Sequence, residues 1–240
     1  MKTIRVQFGW ISRTALSLGL GAVGAMAQDP AKVTPAASKV RLENDRVRVM
    51  EVEMAPGEKI ASHSHPDHVV YLLTDAKMKE TFADGKGGEK GGKKGEALWY
   101  AAVTHAVENV GQSALRGIVV ELKESASTPS AATPPDKDPV KLIPDQTKVL
   151  FENDRMRVLE ARTKAGGKAA MHGHPAMVTY ALTDVKVKFA DGAGTVSEKQ
   201  WNAGDVAWHE PFSHGVENVG PNELVVVHFE LKEPAKKTGK

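Results

Sequence analysis

The chain has 240 residues, 41% of them hydrophobic and 26% charged, enough for one large or two modest soluble domains. Its formal net charge of +2 owes three positives to Lys2, Arg5 and Arg13 at positions 1–27, which hold no acid, so the remainder carries −1 and gives no electrostatic case for nucleic acid. Cysteine is absent, which excludes a disulfide framework, thiolate metal ligands and thiol nucleophiles.

Residues 1–27 read as a secretory signal peptide. A basic start leads into an apolar run from Thr14 to Gly24, and Ala25-Met26-Ala27 offers a small-x-small cleavage pattern with Gln28 as the first mature residue. The run is shorter than the ~20 residues of a membrane span. No twin-arginine pair is present, so general secretion is expected, with a secreted or periplasmic product and no membrane contact after signal removal. Residues 28–39 are rich in Pro and Ala and read as a flexible lead-in.

From residue 40 the pattern changes. Glu43-Asn44-Asp45-Arg46 reads as a turn, and Val47-Arg48-Val49-Met50-Glu51-Val52 alternates with period 2, as a half-buried strand does. Gly57-Glu58-Lys59-Ile60-Ala61-Ser62-His63-Ser64-His65 then carries a His-x-His pair into the apolar segment Val69-Val70-Tyr71. The glycine-rich stretch from Lys86 to Gly95 lacks the Gly-Lys-Ser/Thr ending of a phosphate loop and reads as a solvated hairpin loop. Trp99 and His105-Ala106-Val107-Glu108-Asn109 follow, then a closing strand from Leu115 to Glu124. Residues 125–148 begin with a Pro-, Ser- and Ala-rich run and read as a linker.

The same series then recurs at one constant offset, that from His63 to His172. Glu152-Asn153-Asp154-Arg155 matches the first turn, Gly166 and His172-Gly173-His174 match the His-x-His stretch, and Trp208 with His214-Gly215-Val216-Glu217-Asn218 matches the third. Both closing strands end in Glu-Leu-Lys-Glu. A period this long marks a duplicated domain, not a solenoid. Domain 1 is therefore placed at 40–124, domain 2 at 149–233 and a basic tail at 234–240. Short strands punctuated by Gly, Asp and Pro, with almost no helical periodicity, make both domains all-β, either sandwich or barrel.

Residues i and i+2 of a strand share a face, so His63 and His65 present adjacent imidazoles, as do His172 and His174. His105 and His214, on a neighbouring strand, complete a set of three in each copy. Six of the nine histidines occupy these equivalent positions, which scattered surface histidines would not do. Neutral imidazole suits a divalent transition metal, with Fe, Mn, Ni, Cu and Zn not separable on residue type, and three ligands leave room for water or substrate. Glu108 and Glu217 fall on the opposite face and are expected in solvent or paired with Arg. Tyr71, Tyr180, Trp99 and Trp208 are expected in core packing. His209 and His228, opposite Tyr100 and Val119 in the other copy, read as structural or surface residues, with His209 an outside candidate for chemistry in the second copy.

The chain resembles the cupin superfamily. Gly57-x5-His63-x-His65 and Gly166-x5-His172-x-His174 match the start of the first cupin motif, and His105-x3-Asn109 and His214-x3-Asn218 match the end of the second. The likeness spans 40–124 and 149–233 and implies a bicupin: two double-stranded β-helix, jelly-roll-like barrels, each holding a metal inside and reached from one open end. The family's glutamate ligand would fall at Val69 or Val70 and at Val178 or Thr179, where no carboxylate stands, and the Pro-x-Gly of the second motif is lost in both copies. Three histidines are then the most each copy offers, apart from His68, which shares the parity of Val70 and is a candidate extra ligand; its counterpart is Met177. The function implied is a secreted metal-binding bicupin, either an oxygenase, isomerase or lyase on a small molecule or a non-catalytic ligand-binding or metal-buffering protein. The two barrels are expected to pack as a pseudo-symmetric pair within a monomer.

Overall fold

The computed structural model describes residues 28–123, 133–134 and 136–232; the expected signal peptide, the start of the linker and the basic tail lie outside them. The first copy contains α1 (Pro30–Val33), β1 (Ser38–Glu43), β2 (Val47–Met54), β3 (Lys59–His65), β4 (His68–Leu72), β5 (Ala76–Phe82), β6 (Gly87–Gly92), β7 (Ala97–Tyr100), β8 (Val103–Asn109) and β9 (Leu115–Leu122). The second contains α2 (Pro139–Leu142), β10 (Thr147–Glu152), β11 (Met156–Thr163), β12 (Lys168–His174), β13 (Met177–Ala181), β14 (Val185–Asp191), β15 (Val196–Trp201), β16 (Val206–His209), β17 (Phe212–Asn218) and β18 (Leu224–Leu231). Each copy folds an antiparallel five-stranded sheet, β1-β2-β9-β4-β7 or β10-β11-β18-β13-β16, against a four-stranded one, β3-β8-β5-β6 or β12-β17-β14-β15.

The central strands of the five-stranded sheets are buried on both faces, which is why β9 carries the apolar run Ile118-Val119-Val120 and β18 the run Leu224-Val225-Val226-Val227. One set of alternate residues, including Val52, Met54, Val70, Leu72 and Leu115, fills the first barrel's own interior. The other set, Val47, Val49, Val69, Tyr71, Ile118, Val120 and Leu122, points out of the barrel. It meets Met156, Val158, Val178, Tyr180, Val227, Phe229 and Leu231 of the second barrel, each the counterpart of one of them in the repeat. Burying each such side chain stabilises the pairing by about 1.5–3 kcal/mol. Tyr71 and Tyr180 are thus core residues, and Trp99 packs partly buried at the margin, stacked on Phe151 at 6.0 Å. Arg155 Nη1 pairs with Asp67 Oδ2 at 3.0 Å across the same junction.

Two segments differ from their compositional reading. Residues 28–39 are not a featureless lead-in. Asp29 caps α1, its Oδ1 accepting from Ala31 N at 3.0 Å, Pro30 is buried, and Arg48 Nη1 holds Asp29 at 2.9 Å. Asp138, Pro139 and Arg157 repeat this around α2, inside the stretch read as linker. Asp followed by Pro is a helix-start signal that the Pro/Ala content obscured. The glycine-rich stretch, in turn, is not a loop but forms the edge strand β6 paired with β5. A side chain at Gly87 would place its Cβ 2.0 Å from Glu80 O, so the edge must be glycine there.

Candidate metal centres

The histidine pairs face inward because of a bulge. Between β3 and β8 the register runs Ile60↔Val107 and then His63↔His105, so β3 carries one extra residue. That residue reverses the strand's parity: Ile60, His63 and His65 are buried while Ala61 and Ser62 are exposed. The register of β12 on β17 shifts identically between Ala169 and His172. Gly57 and Gly166, with φ of 78° and 72°, make the turns that lead into these strands.

The bulge also orients the first ligand. His63 Nδ1 lies 2.7 Å from Ala61 O and His172 Nδ1 2.6 Å from Ala170 O, so each donates its Nδ1 proton to the bulge carbonyl and turns Nε2 inward. The second ligand is oriented by a carboxylate. His65 Nδ1 donates to Glu121 Oε1 and His174 Nδ1 to Glu230 Oε1, both at 2.6 Å. Such partners fix the tautomer and raise the basicity of a ligand ring. Sequence reasoning misses Glu121 and Glu230, although the repeated Glu-Leu-Lys-Glu puts an acid at inward parity in both closing strands.

The structure brings His63, His65 and His105 together, and likewise His172, His174 and His214; in each group one ligand atom per residue lies within 4.8 Å of the others. All six are buried. Among the described residues His174 Nε2, His105 Nδ1 and both nitrogens of His214 have no hydrogen-bond partner, and an inward-facing nitrogen left so is a costly state that a metal ion would relieve. Three convergent imidazoles fit such an ion. Glu108 and Glu217 lie outside, paired with Lys59 at 3.2 Å and Lys168 at 3.5 Å, lysines where arginine was expected.

No family model matches the sequence, and no curated protein is similar enough to match it. Solved structures do match. Oxalate decarboxylase from Bacillus subtilis, in a variant with a tryptophan replaced by tyrosine, aligns with a TM-score of 0.58 at 13% identity, over 81% of this chain and 75% of that one. The same enzyme at pH 4.6 gives 0.57 at 13% identity over 86% and 73%. A structure from work on its Mn(II) centres gives 0.57 at 13% identity over 81% and 75%. The chain has the bicupin fold.

Beyond the three histidines, one more lines the first cavity and two more the second, on strands that do not correspond. His68, on β4, faces inward and is 2% exposed; its ring lies 4.6 Å from that of His65 and stacks on Tyr100 at 5.1 Å. It stands beside the three-His group without belonging to it. In the second barrel His228, on β18, is 7% exposed, its ring 5.0 Å from that of His174 and its Nδ1 3.0 Å from Thr179 Oγ1. His228 therefore lines the cavity and is no surface residue. His209 lines the same cavity beside Phe212.

The two cavities measure about 70 Å³ and 60 Å³, room for an ion with a few small ligand atoms. Among the described residues the first is lined by no Lys or Arg and the second only by Arg162, whose guanidinium binds Glu160 and Glu223.

Burial pulls the pKa of His63, His65 and His68 down from 6.5 to about 4 and that of His174 to about 3, and it lowers His172, His214 and His228 as well. These rings are neutral near pH 7, the form that binds metal. The unfolded chain protonates its histidines near pH 6.5, whereas the folded one waits until about pH 4. Stability of the metal-free bicupin is thus full above 6.5 and is lost as pH falls toward 4, at up to about 1.4 kcal/mol per pH unit for each such ring. Glu121, raised by burial to about 6, opposes this between about 6 and 4.5. Urea unfolding of the chelator-treated protein should show a markedly lower midpoint at pH 5 than at pH 7, and a shallower pH dependence for His68→Gln. An unchanged midpoint between the two pH values would contradict this account.

Proposed function

We propose that this metal-binding bicupin is an exported metal-dependent enzyme for a very small, uncharged molecule, with the first barrel as its reacting centre. The observation that carries this reading is the wall of the first cavity, where Glu80, His68 and Tyr100 join the three histidines in a space with no cation. His63, His65 and His105 would hold the metal, which when bound supplies Lewis acidity or oxygen activation at an open position. The chain does the rest. Glu121 and the Ala61 carbonyl orient two ligand rings, and Glu80, kept ionised by Lys90, faces His105. Val70, Met78 and Val119 exclude bulk water. An anion such as oxalate, on which the structural neighbours act, finds no free cation among the described residues of either cavity. The signal-like sequence at positions 1–27 supports export to the periplasm or medium.

A second reading, metal holding without chemistry, suits the second barrel, where Phe189 and Phe212 flank His214 at 4.9 and 4.8 Å. The test of metal binding is elemental analysis of the untagged mature protein. About one to two equivalents of a transition metal are expected, with one centre lost in His63→Ala and the other in His172→Ala. Absence of metal from a folded wild-type protein that also takes up none on reconstitution would end the enzyme reading.

A further inference from the structure

The strands that carry the histidines are near copies in the two barrels, yet one buried position behind the third histidine differs completely. In the first barrel β5 places Glu80, 2% exposed, with Oε1 3.6 Å from His105 Nδ1 and Oε2 2.6 Å from Lys90 Nζ. The distance to His105 is about 0.5 Å longer than an ordinary N–H···O bond, a gap that a small side-chain rotation closes. The counterpart of Glu80 is Phe189, whose ring lies 4.9 Å from that of His214, and neither His214 nitrogen has a hydrogen-bond partner among the described residues. Among the described residues, His63 and His65 thus hydrogen-bond an acceptor through Nδ1, and His105, whose Nδ1 makes no hydrogen bond as it stands, has the Glu80 carboxylate within reach. In the second barrel only His172 and His174 have such an acceptor.

The carboxylates behind the two centres differ in charge as well. Glu230 gives one oxygen to His174 and the other to Arg157 Nε at 2.6 Å, so its charge is largely neutralised. Among the described residues Glu121 has no such hydrogen-bonded partner, because Arg48, the equivalent of Arg157, is turned toward Asp29 and Glu43 and reaches Glu121 only through space. Lys90 does oppose Glu80, but it is half exposed at the barrel edge, where solvent screens it.

We propose that the two metal centres are unequal, with the first barrel taking a divalent ion more tightly because Glu80 positions His105 and adds a second carboxylate behind the site. Glu80 is a positioning residue here, acting through His105. This inference rests on the reading that both barrels bind metal, and it adds an order of filling and a cause for it.

The test is a Zn²⁺ titration of the chelator-stripped full-length mature protein against a chromophoric competitor. Wild type should show two classes of site separated by about 10–100-fold, the usual effect of an outer-shell partner. His63→Ala should remove the tight class and His172→Ala the loose one. Glu80→Phe, which copies the second barrel at this position, should weaken the tight class toward the loose one, leaving only the difference set by Glu121 and Glu230. Glu80→Gln should leave an intermediate affinity, since it keeps an acceptor and loses the charge; it also serves as the test if the phenylalanine variant does not fold by circular dichroism. With Co²⁺ as a spectroscopic probe, the visible bands of the first equivalent should change in Glu80→Gln, whereas a residue with a merely structural role would leave them alone. Equal affinity of both sites in wild type, or a tight class unaltered in both folded Glu80 variants, would overturn the inference while leaving metal binding standing. No Zn²⁺ binding at either site would overturn the functional reading itself.

Discussion

Phe229→Ala is expected to destabilise the protein by about 3–5 kcal/mol, read as a fall in the urea midpoint at constant slope. The ring is fully buried, not inside its own barrel but between the two, edge-on to Tyr71 at 6.5 Å. Its removal leaves a void in a layer that neither barrel can close alone, because each contributes seven side chains to it. The loss should therefore appear in probes of both barrels at once. Leu72→Ala, inside the first barrel, should instead weaken that barrel first. A Phe229→Ala effect confined to the second barrel, with the first unfolding as in wild type, would show that the inter-barrel layer does not couple them.

Arg157→Ala should be comparably damaging, at about 3–5 kcal/mol, because it removes one partner of a buried ion pair. Glu230 is 1% exposed, and burial already raises its pKa; Arg157 is the main influence holding it down. Without the guanidinium, Glu230 and Asp138 face one another uncompensated, and Glu230 must take a proton or shift. Its grip on His174 would loosen, with about 10–100-fold weaker metal binding in the second barrel. The equivalent Arg48→Ala should cost no more than about 1 kcal/mol, since its partners Asp29 and Glu43 lie toward solvent and it acts on Glu121 through space, without a hydrogen bond. Chemical denaturation of the two variants gives the comparison; equal losses would contradict the asymmetry between the two carboxylates.

The duplicated fold is legible in the sequence because it rests on features that survive as residue types at fixed spacing. Two His-x-His pairs, two later histidines and two Glu-Leu-Lys-Glu endings, all related by one offset, do not arise by chance. What escapes depends on parity or on single residues. The extra residue in β3 and β12 reverses which side chains face inward, and nothing in Ile60-Ala61-Ser62 announces it. Glu121 and Glu230 look like strand-end charges, although an acid at inward parity in an Ile/Val strand is a buried acid and requires a partner. Glu80 and His228 have no copy in the other half, so the repeat that exposes the histidine triads cannot expose them. The Asp-Pro starts of α1 and α2 are hidden by composition, since a run of Pro and Ala reads as loose chain until a half-buried arginine is found holding the aspartate.

Cutting the chain between the barrels would not yield two independent proteins. Each half would carry away an uncovered apolar sheet face of the kind that seldom stays in water, so the halves should re-associate after separation, and each should also pair with its own kind. A pair of identical subunits joined through that face must keep two identical centres, whatever its gene encodes. Tandem fusion lifts that constraint: a substitution can enter one half alone, as the glutamate at 80 and the phenylalanine at 189 show, without disturbing the face on which both halves depend.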